Sequence, residues 1–455
     1  MNDYLLKKYG VAVPRYTSYP PANFFHEGFE SEHYKSAIVE SNTENPQHIS
    51  IYIHIPFCFH ICYYCGCNSQ LFQGRSFTER YIKALKDEIK MVIPLLDKGR
   101  KISQIHYGGG TPSALPVATL KELNDMFLSE FETIDNPEIA IECHPGYLNE
   151  KYWHDLIAAG FNRISLGIQD FDENVLKACN RKSPLLPIEH IVEILKANHI
   201  PVNMDFIYGL PLQTADSFRK TIEKALTMQP ERIVTFSYAH VPWVNELQKK
   251  LEDVGLPAPE VKEAMYSTTK EILSSNGYSV VGLDHFVLPS DELFTAAEDG
   301  KLRRNFQGYC TARTTGQVYA FGVTGISQLA NSYFQNTKDI NTYLESIEKG
   351  ILPVWKGYEL SLDERVTREV ISELMCNYKI RWADIADIFK MDIEQVLTNI
   401  NYDINKLNEF SEDGLIHFND LELIMHSDAR PFVRNVAASF DKLLLNTDKQ
   451  FSKTL

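Results

Sequence analysis

Residues 50–290 are predicted to fold as an α/β unit, a partial (β/α)6 barrel. It is flanked by an N-terminal arm over residues 1–49, a connecting and covering segment over 291–360, and a small, mainly helical C-terminal domain over 361–455. Three observations lead there. Between about residue 50 and residue 240, short β-rich apolar runs alternate with amphipathic helical stretches, the pattern of repeated βα units. The first connecting stretch has a clear helical period. The residues that packing explains least follow the ends of the expected strands, where a parallel barrel builds its active site.

Six strands are expected, over residues 50–55, 102–107, 138–143, 163–168, 202–208 and 232–238. The helix after the first strand is announced by Ser76 and Glu79, spaced as an S-x-x-E capping box. Ile82, Leu85, Ile89, Val92, Ile93 and Leu96 then recur at three-to-four-residue spacing. Right-handed connections place such helices outside the sheet and the strand ends at one mouth. A cysteine loop follows the first strand and Gly108-Gly109-Gly110-Thr111-Pro112 the second. Glu142 lies near the end of the third, Gln169 follows the fourth, Asp205 and Tyr208 lie in the fifth, and Ala239-His240 follow the sixth. The arm carries Pro14-Arg15-Tyr16-Thr17-Ser18-Tyr19-Pro20, too aromatic for a linker, and is expected over the mouth. Residues 241–360 read as mixed helix and loop. After 361, helical spacing (Val366, Val370, Leu374; Ile385, Ile388, Phe389) and Asp413-Gly414 before Leu415-Ile416-His417-Phe418 predict helices with a hairpin-like wing.

The chain has 455 residues, is 44% hydrophobic and carries a formal net charge of −15. That charge excludes nonspecific binding to nucleic acid or an anionic membrane, both of which need a basic footprint. An anionic substrate would need locally placed arginines. No stretch approaches the roughly 18 apolar residues of a membrane span, and the first twenty residues lack a signal-peptide core. A reducing, cytoplasmic compartment and a monomer are expected. Cys143, Cys179, Cys310 and Cys376 are scattered and read as small apolar residues.

The cysteine loop is the chemical signature. Cys58, Cys62, Cys65 and Cys67 fall within ten residues, and the C-x3-C-x2-C spacing can bind three irons of a cubane cluster while leaving the fourth open to a ligand. Zinc usually draws two separated ligand pairs, and disulfides belong to secreted chains. The triple glycine is either a tight turn or a platform for an amino-acid-like ligand. Glu142, Gln169 and Asp205 either cap neighbouring helices or hold ribose hydroxyls and an ammonium group. Arg181 reads as solvated surface, and His54 as a hydrogen-bonded core histidine.

Tyr52-Ile53-His54-Ile55-Pro56-Phe57-Cys58 through Cys67-Asn68 resembles the cluster motif of radical S-adenosylmethionine enzymes. Within that superfamily the chain resembles the oxygen-independent coproporphyrinogen III oxidases from about residue 10 to its end. The arm motif and Gly-Gly-Gly-Thr-Pro match in order, as do Gly167-Ile168-Gln169-Asp170-Phe171, Asp205-Phe206-Ile207-Tyr208-Gly209-Leu210-Pro211, Tyr238-Ala239-His240, Asp284-His285-Phe286 and Asn305-Phe306-Gln307-Gly308-Tyr309. The resemblance implies a [4Fe-4S] cluster on Cys58, Cys62 and Cys65, with Cys67 outside the shell. It implies S-adenosylmethionine at Tyr52, Gly109 and Glu142. A second molecule is implied at Tyr64, Gly110, Thr111, Gln169, Arg181, Asp205, Ala239 and Ile326. It further implies radical decarboxylation of two propionates of coproporphyrinogen III to vinyl groups, giving protoporphyrinogen IX, with a reducing partner and an electron acceptor that the sequence does not name. Cys67 and Arg15 are the candidates for further catalytic roles. Arg15 either pairs with a substrate carboxylate or anchors the arm. The family usually has an acidic residue or Asn where His144 stands, and Phe where Tyr64 stands. Haem chaperones of the superfamily share the three cysteines but generally lack the fourth, the arm motif and the Asn-Phe-Gln-Gly-Tyr segment. Anaerobic haem-degrading methyltransferases should match the arm and C-terminal region less well.

Overall fold

The computed structural model describes residues 3–243, 245–449 and 451. The six expected strands are present as β1 (Ile49–Ile55), β2 (Ile102–Gly109), β3 (Thr133–Cys143), β4 (Arg163–Gln169), β5 (Val202–Tyr208) and β6 (Arg232–Ser237). Neighbours in this series pair in parallel, in sequence order. Period-two alternation then assigns the two faces. On β1, Ile51, Ile53 and Ile55 are buried against the outer helices, while Tyr52 and His54 face the interior. The helix Arg75–Val92 buries Ile82, Leu85, Ile89 and Val92, as its period predicts. Its cap differs from expectation. Gly74 is the N-cap and makes no side-chain bond, Ser76 lies inside the first turn, and Glu79 accepts from Arg75 Nε at 2.8 Å.

The expectation of helix and loop over 241–360 is corrected. Beside the helices Lys249–Val254, Pro259–Ser275, Glu292–Glu298 and Ile340–Glu348, the described residues of this region form eight strands. These are β7 (Ser279–Val281), β8 (His285–Val287), β9 (Leu302–Asn305), β10 (Gly308–Thr311), β11 (Gln317–Phe321), β12 (Ile326–Gln328), β13 (Ser332–Asn336) and β14 (Val354–Glu359). Among the described residues the main sheet has twelve strands in the order β14-β13-β12-β11-β1-β2-β3-β4-β5-β6-β8-β7. β11 lies parallel to β1, so the parallel row has seven members, β11 and β1–β6. The flanking strands are antiparallel, and the two edges, β14 and β7, do not pair. The barrel is therefore partial. β9 and β10 form a separate hairpin.

The C-terminal region has its own core around Val370, Leu374, Trp382, Phe410 and Phe432. The expected wing is present: β16 (Ile416–Phe418) and β17 (Glu422–Met425) pair as a hairpin, joined by β15 (Lys379–Arg381). Tyr9, Tyr16 and Tyr19 of the arm belong to this core. Among the described residues no helix is long and apolar enough to cross a membrane.

Candidate active site

Three neighbouring strands each contribute a polar side chain to the interior. The rings of Tyr52 (β1) and His106 (β2) stack with centroids 6.1 Å apart, and His106 Nε2 lies 3.2 Å from Glu142 Oε1 (β3). Gly108 makes this possible: a Cβ there would sit 2.8 Å from Glu142 Oε1 and 3.0 Å from the Tyr52 ring. His54 is buried, as expected of a core histidine, and burial pushes it down to about 4, so it is neutral. Its Nε2 faces the Asn68 carbonyl at 3.0 Å and must carry the proton. Nδ1 then accepts from the Tyr52 hydroxyl at 3.2 Å.

The cysteine loop leaves the end of β1. Cys58 and Cys62 are buried, Cys65 is half-buried and Cys67 is exposed, all as free thiols. The loop backbone is clamped from outside. Tyr63 N donates to Cys179 O at 3.0 Å, Asn180 Nδ2 to Ile61 O at 2.9 Å, and Asn245 Nδ2 to Cys65 O at 2.6 Å. Two loop carbonyls, of Ile61 and Cys65, and the Tyr63 amide are thus engaged from outside the loop. Hydrogen bonding from Cys67 pushes the Cys65 thiol down to about 6, whereas burial pushes Cys58 up to about 11. Among the described residues, no three Cys, His, Asp or Glu side chains converge as a single ion requires. Three thiols on one short loop with C-x3-C-x2-C spacing are the donor set of a cubane cluster, whereas zinc usually draws two separated ligand pairs.

The glycines after β2 permit close approach. Gly109, at φ +112°, lies against His54, where a Cβ would meet Cε1 at 2.6 Å. At Gly110 it would meet Pro56 O at 2.6 Å and Cys58 Sγ at 3.1 Å. Both readings of the run, turn and platform, therefore meet one requirement: the second rim loop must press against the cysteine loop. Thr111 Oγ1 adds a 3.2 Å contact to Cys58 Sγ.

Arg181 is not the surface residue expected. It is half-buried, donates from Nη1 to Cys62 Sγ at 3.6 Å and from Nη2 to Gly167 O. Gln169, at φ +71°, ends β4 beyond a register shift, and its Oε1 is closed to solvent without a hydrogen-bond partner. The Tyr64 hydroxyl is likewise enclosed and unpartnered. Asp205 accepts from Ser165 Oγ at 2.6 Å and Asn203 Nδ2 at 2.8 Å, and burial pushes it up to about 6. His144 is held neutral, pushed down to about 2 by burial and then by Arg181, and its Nδ1 accepts from Gly146 N at 3.0 Å. It thus caps its own turn. Ala239 follows β6 and is exposed, whereas Ile326 lies on β12, beyond the other end of the parallel row.

The arm ties two regions together. Arg434 Nε donates to Pro14 O at 3.0 Å and Tyr16 OH to Asp441 Oδ2 at 2.9 Å, both on the C-terminal domain. Tyr333 OH donates to Tyr19 O at 3.0 Å, and His26 bridges to Gly357 on β14. Arg15 is exposed, and its charge bears on Tyr208, Lys262 and Asp284 beside the ends of β5 and β6. Sequence reasoning missed His106, Ser165 and Asn203. The inward alternation Gln104, His106, Gly108 toward the triple glycine was the available signal for the first.

Known proteins match this chain along its whole length. The model of the radical SAM superfamily matches residues 52–225, from the first strand to the helix after the fifth. Oxygen-independent coproporphyrinogen III oxidase from Synechocystis is 37% identical, covering 99% of this chain and 97% of its own length. That from Pseudomonas aeruginosa is also 37% identical, covering 99% and 98%. The solved structure of coproporphyrinogen III oxidase from Escherichia coli, described as a radical SAM enzyme, superimposes with a TM-score of 0.88 at 32% identity, over 97% of this chain and 99% of that one. Identity at that level over almost every residue, arm and C-terminal domain included, goes beyond a shared barrel: the chain belongs to the oxygen-independent coproporphyrinogen III oxidases of the radical SAM superfamily.

Proposed function

We propose that the protein converts coproporphyrinogen III to protoporphyrinogen IX in haem biosynthesis, by oxidative decarboxylation of two propionate side chains. The observation that carries this is the clamped three-cysteine loop at the end of β1, pressed against the triple glycine and beside Tyr52, His106 and Glu142, in a chain with full-length oxidase relatives. Cys58, Cys62 and Cys65 would hold a [4Fe-4S] cluster. Bound there, the cluster and S-adenosylmethionine would together supply the radical chemistry that removes a hydrogen atom from the propionate carbon next to the ring. Loss of one further electron and of carbon dioxide leaves the vinyl group. That electron goes to an acceptor, and a separate reductant feeds the cluster.

The chain's own residues orient and insulate. Glu142 is held by His106 and faces the space above Gly108, where a carboxylate suits the ammonium end of S-adenosylmethionine. Tyr52 and Gly109 complete that position. Tyr64, Gly110, Thr111, Gln169, Arg181, Asp205, Ala239 and Ile326 are assigned to a second S-adenosylmethionine. The enclosed, unpartnered atoms of Tyr64 and Gln169 support this, since a ligand would complete their hydrogen bonding. The arm would exclude water from the mouth. We place the reaction in the cytoplasm and the working enzyme as a monomer.

The test is an anaerobic assay of coproporphyrinogen III with S-adenosylmethionine and dithionite, run on wild type, Cys65→Ala and Cys67→Ala. Wild type should form vinyl product. Cys65→Ala should lose iron-sulfur absorbance and activity, and Cys67→Ala should keep its absorbance. No vinyl product from fully loaded wild type refutes the function, and equal loss of iron in both variants refutes the ligand assignment.

A further inference from the structure

The substrate proposed above carries four carboxylates, and this inference rests on that reading. The protein carries a formal net −15, so a local cation must receive them. Arg303 and Arg304 stand side by side on β9, and their surroundings differ. Arg303 is engaged, donating to Glu373 Oε1 at 2.6 Å and to Leu302 O at 3.1 Å. The Arg304 guanidinium makes no hydrogen bond among the described residues, although its Nε and Nη1 are closed to solvent. Its guanidinium lies over the Tyr309 ring, 4.9 Å from the centroid, and the Tyr309 hydroxyl is also enclosed without a partner. An enclosed cation without an acceptor is costly, and folds normally supply one.

Further cations gather in this neighbourhood. Arg434 feels the charges of both Arg15 and Arg304, and Lys262 that of Arg15. Arg434 and Lys262 have acceptors in Pro14 O and Tyr238 O. One carboxylate is nearby: Asp284 Oδ1 accepts from His285 Nδ1 at 2.7 Å, and its charge and that of Arg304 favour each other without a hydrogen bond between them. The place is also connected to the candidate active site. The His285 ring meets Tyr309 edge-on at 5.1 Å, β8 pairs His285 with Val234 on β6, and β6 pairs Val234 with Asp205 on β5.

We propose that Arg304, backed by the Tyr309 ring, is the receptor for a propionate carboxylate of the tetrapyrrole substrate. A guanidinium backed by an aromatic ring keeps its planar fork of N–H groups, the geometry that pairs with a carboxylate. Arg15 and Lys262 then set the local field rather than the contact.

Coproporphyrin III, the fluorescent oxidised form with the same four propionates, serves as probe, with its tetramethyl ester as the uncharged control. Both are titrated into the full chain, wild type and Arg304→Gln, by fluorescence. Arg304→Gln should weaken coproporphyrin III binding by about tenfold or more, the scale of a lost charge-assisted hydrogen bond. Ester and S-adenosylmethionine binding should stay unchanged. Arg304→Lys, which keeps the charge and loses the fork, should fall between and serves if the Gln variant does not fold; wild-type affinity in Arg304→Lys would overturn the fork. If wild type binds acid and ester alike, the functional reading fails and this one with it. If wild type discriminates and Arg304→Gln discriminates equally, or loses S-adenosylmethionine instead, this inference alone is overturned.

Discussion

Single residues in this molecule are set by partners distant in sequence. Glu88 shows it. It lies fully buried on the helix Arg75–Val92 and accepts from Gly322 N at 2.8 Å, Asn336 Nδ2 at 2.7 Å and Tyr343 OH at 2.6 Å, joining that helix to β11–β13 and the helix beyond. Burial outweighs these three donors and pushes Glu88 up to about 7, from an ordinary value of 4.5. The folded state therefore binds this proton more tightly than the unfolded chain. The resulting stability is fully present below about 4.5 and is lost as pH rises through about 7. Thermal melts of wild type and Glu88→Gln across that window should show it. The advantage of wild type over the variant should shrink steadily from pH 4.5 to pH 7 and then level off, and a constant difference would contradict the assignment. Arg181 teaches the converse. Nothing in its neighbours, Asn180 and Lys182, told that its guanidinium would turn inward onto Cys62 and Gly167.

At the scale of elements, what was legible depended on where each strand finds its partners. β1–β6 are apolar on the face that meets the helices, and each pairs with the next in sequence, so pattern alone located them within a few residues. β11–β13 were missed because buried polar residues interrupt them. Gln317 Nε2 is satisfied by Ser41 O at 2.7 Å and Asn336 by Glu88, across separations of 276 and 248 residues. A polar residue whose acceptor lies that far away is indistinguishable in sequence from a loop residue. The candidate site divides the same way. The cysteines and the triple glycine were legible because their spacing is local. Arg304 stood beside Arg303, and only the fold separates an engaged arginine from one lacking an acceptor. The end of the barrel away from the mouth offers an element-level prediction. Arg163 and Arg232 begin β4 and β6, and both reach Asp291, whose side chain is 0% exposed, at 3.0 and 2.8 Å. Asp291 Oδ1 also caps the helix Glu292–Glu298 through Leu293 N at 2.9 Å. Asp291→Ala would leave two enclosed cations short of their shared acceptor, at a cost of about 3–5 kcal/mol. A lowered denaturation midpoint with iron binding intact when folded is the expected result, and a change under about 1 kcal/mol would show the triad to be dispensable.

For the whole molecule, the arm decides how the two cores cooperate. Its tyrosines 9, 16 and 19 are buried in the C-terminal core, its backbone at Val13 and Pro14 is gripped by Arg434, and its continuation at Tyr19 and His26 is bonded to β13 and β14. One segment is thus at once part of the C-terminal core, a tie to the edge of the main sheet and the carrier of Arg15 beside the mouth. The cysteine loop draws on none of these contacts; its clamps come from residues 179–180 and 245. Deleting residues 1–20 should therefore separate functions that the intact chain couples. The truncated protein should still take up iron and sulfide. Its C-terminal region, stripped of three aromatic side chains worth about 3–5 kcal/mol each when removed from a core, should melt apart from the main sheet at lower temperature. Vinyl product should be lost, because water then enters the mouth. Calorimetry and an anaerobic product assay on the truncated protein read both consequences. A single transition at the wild-type temperature, or full vinyl formation, would show that the arm neither completes the C-terminal core nor closes the site.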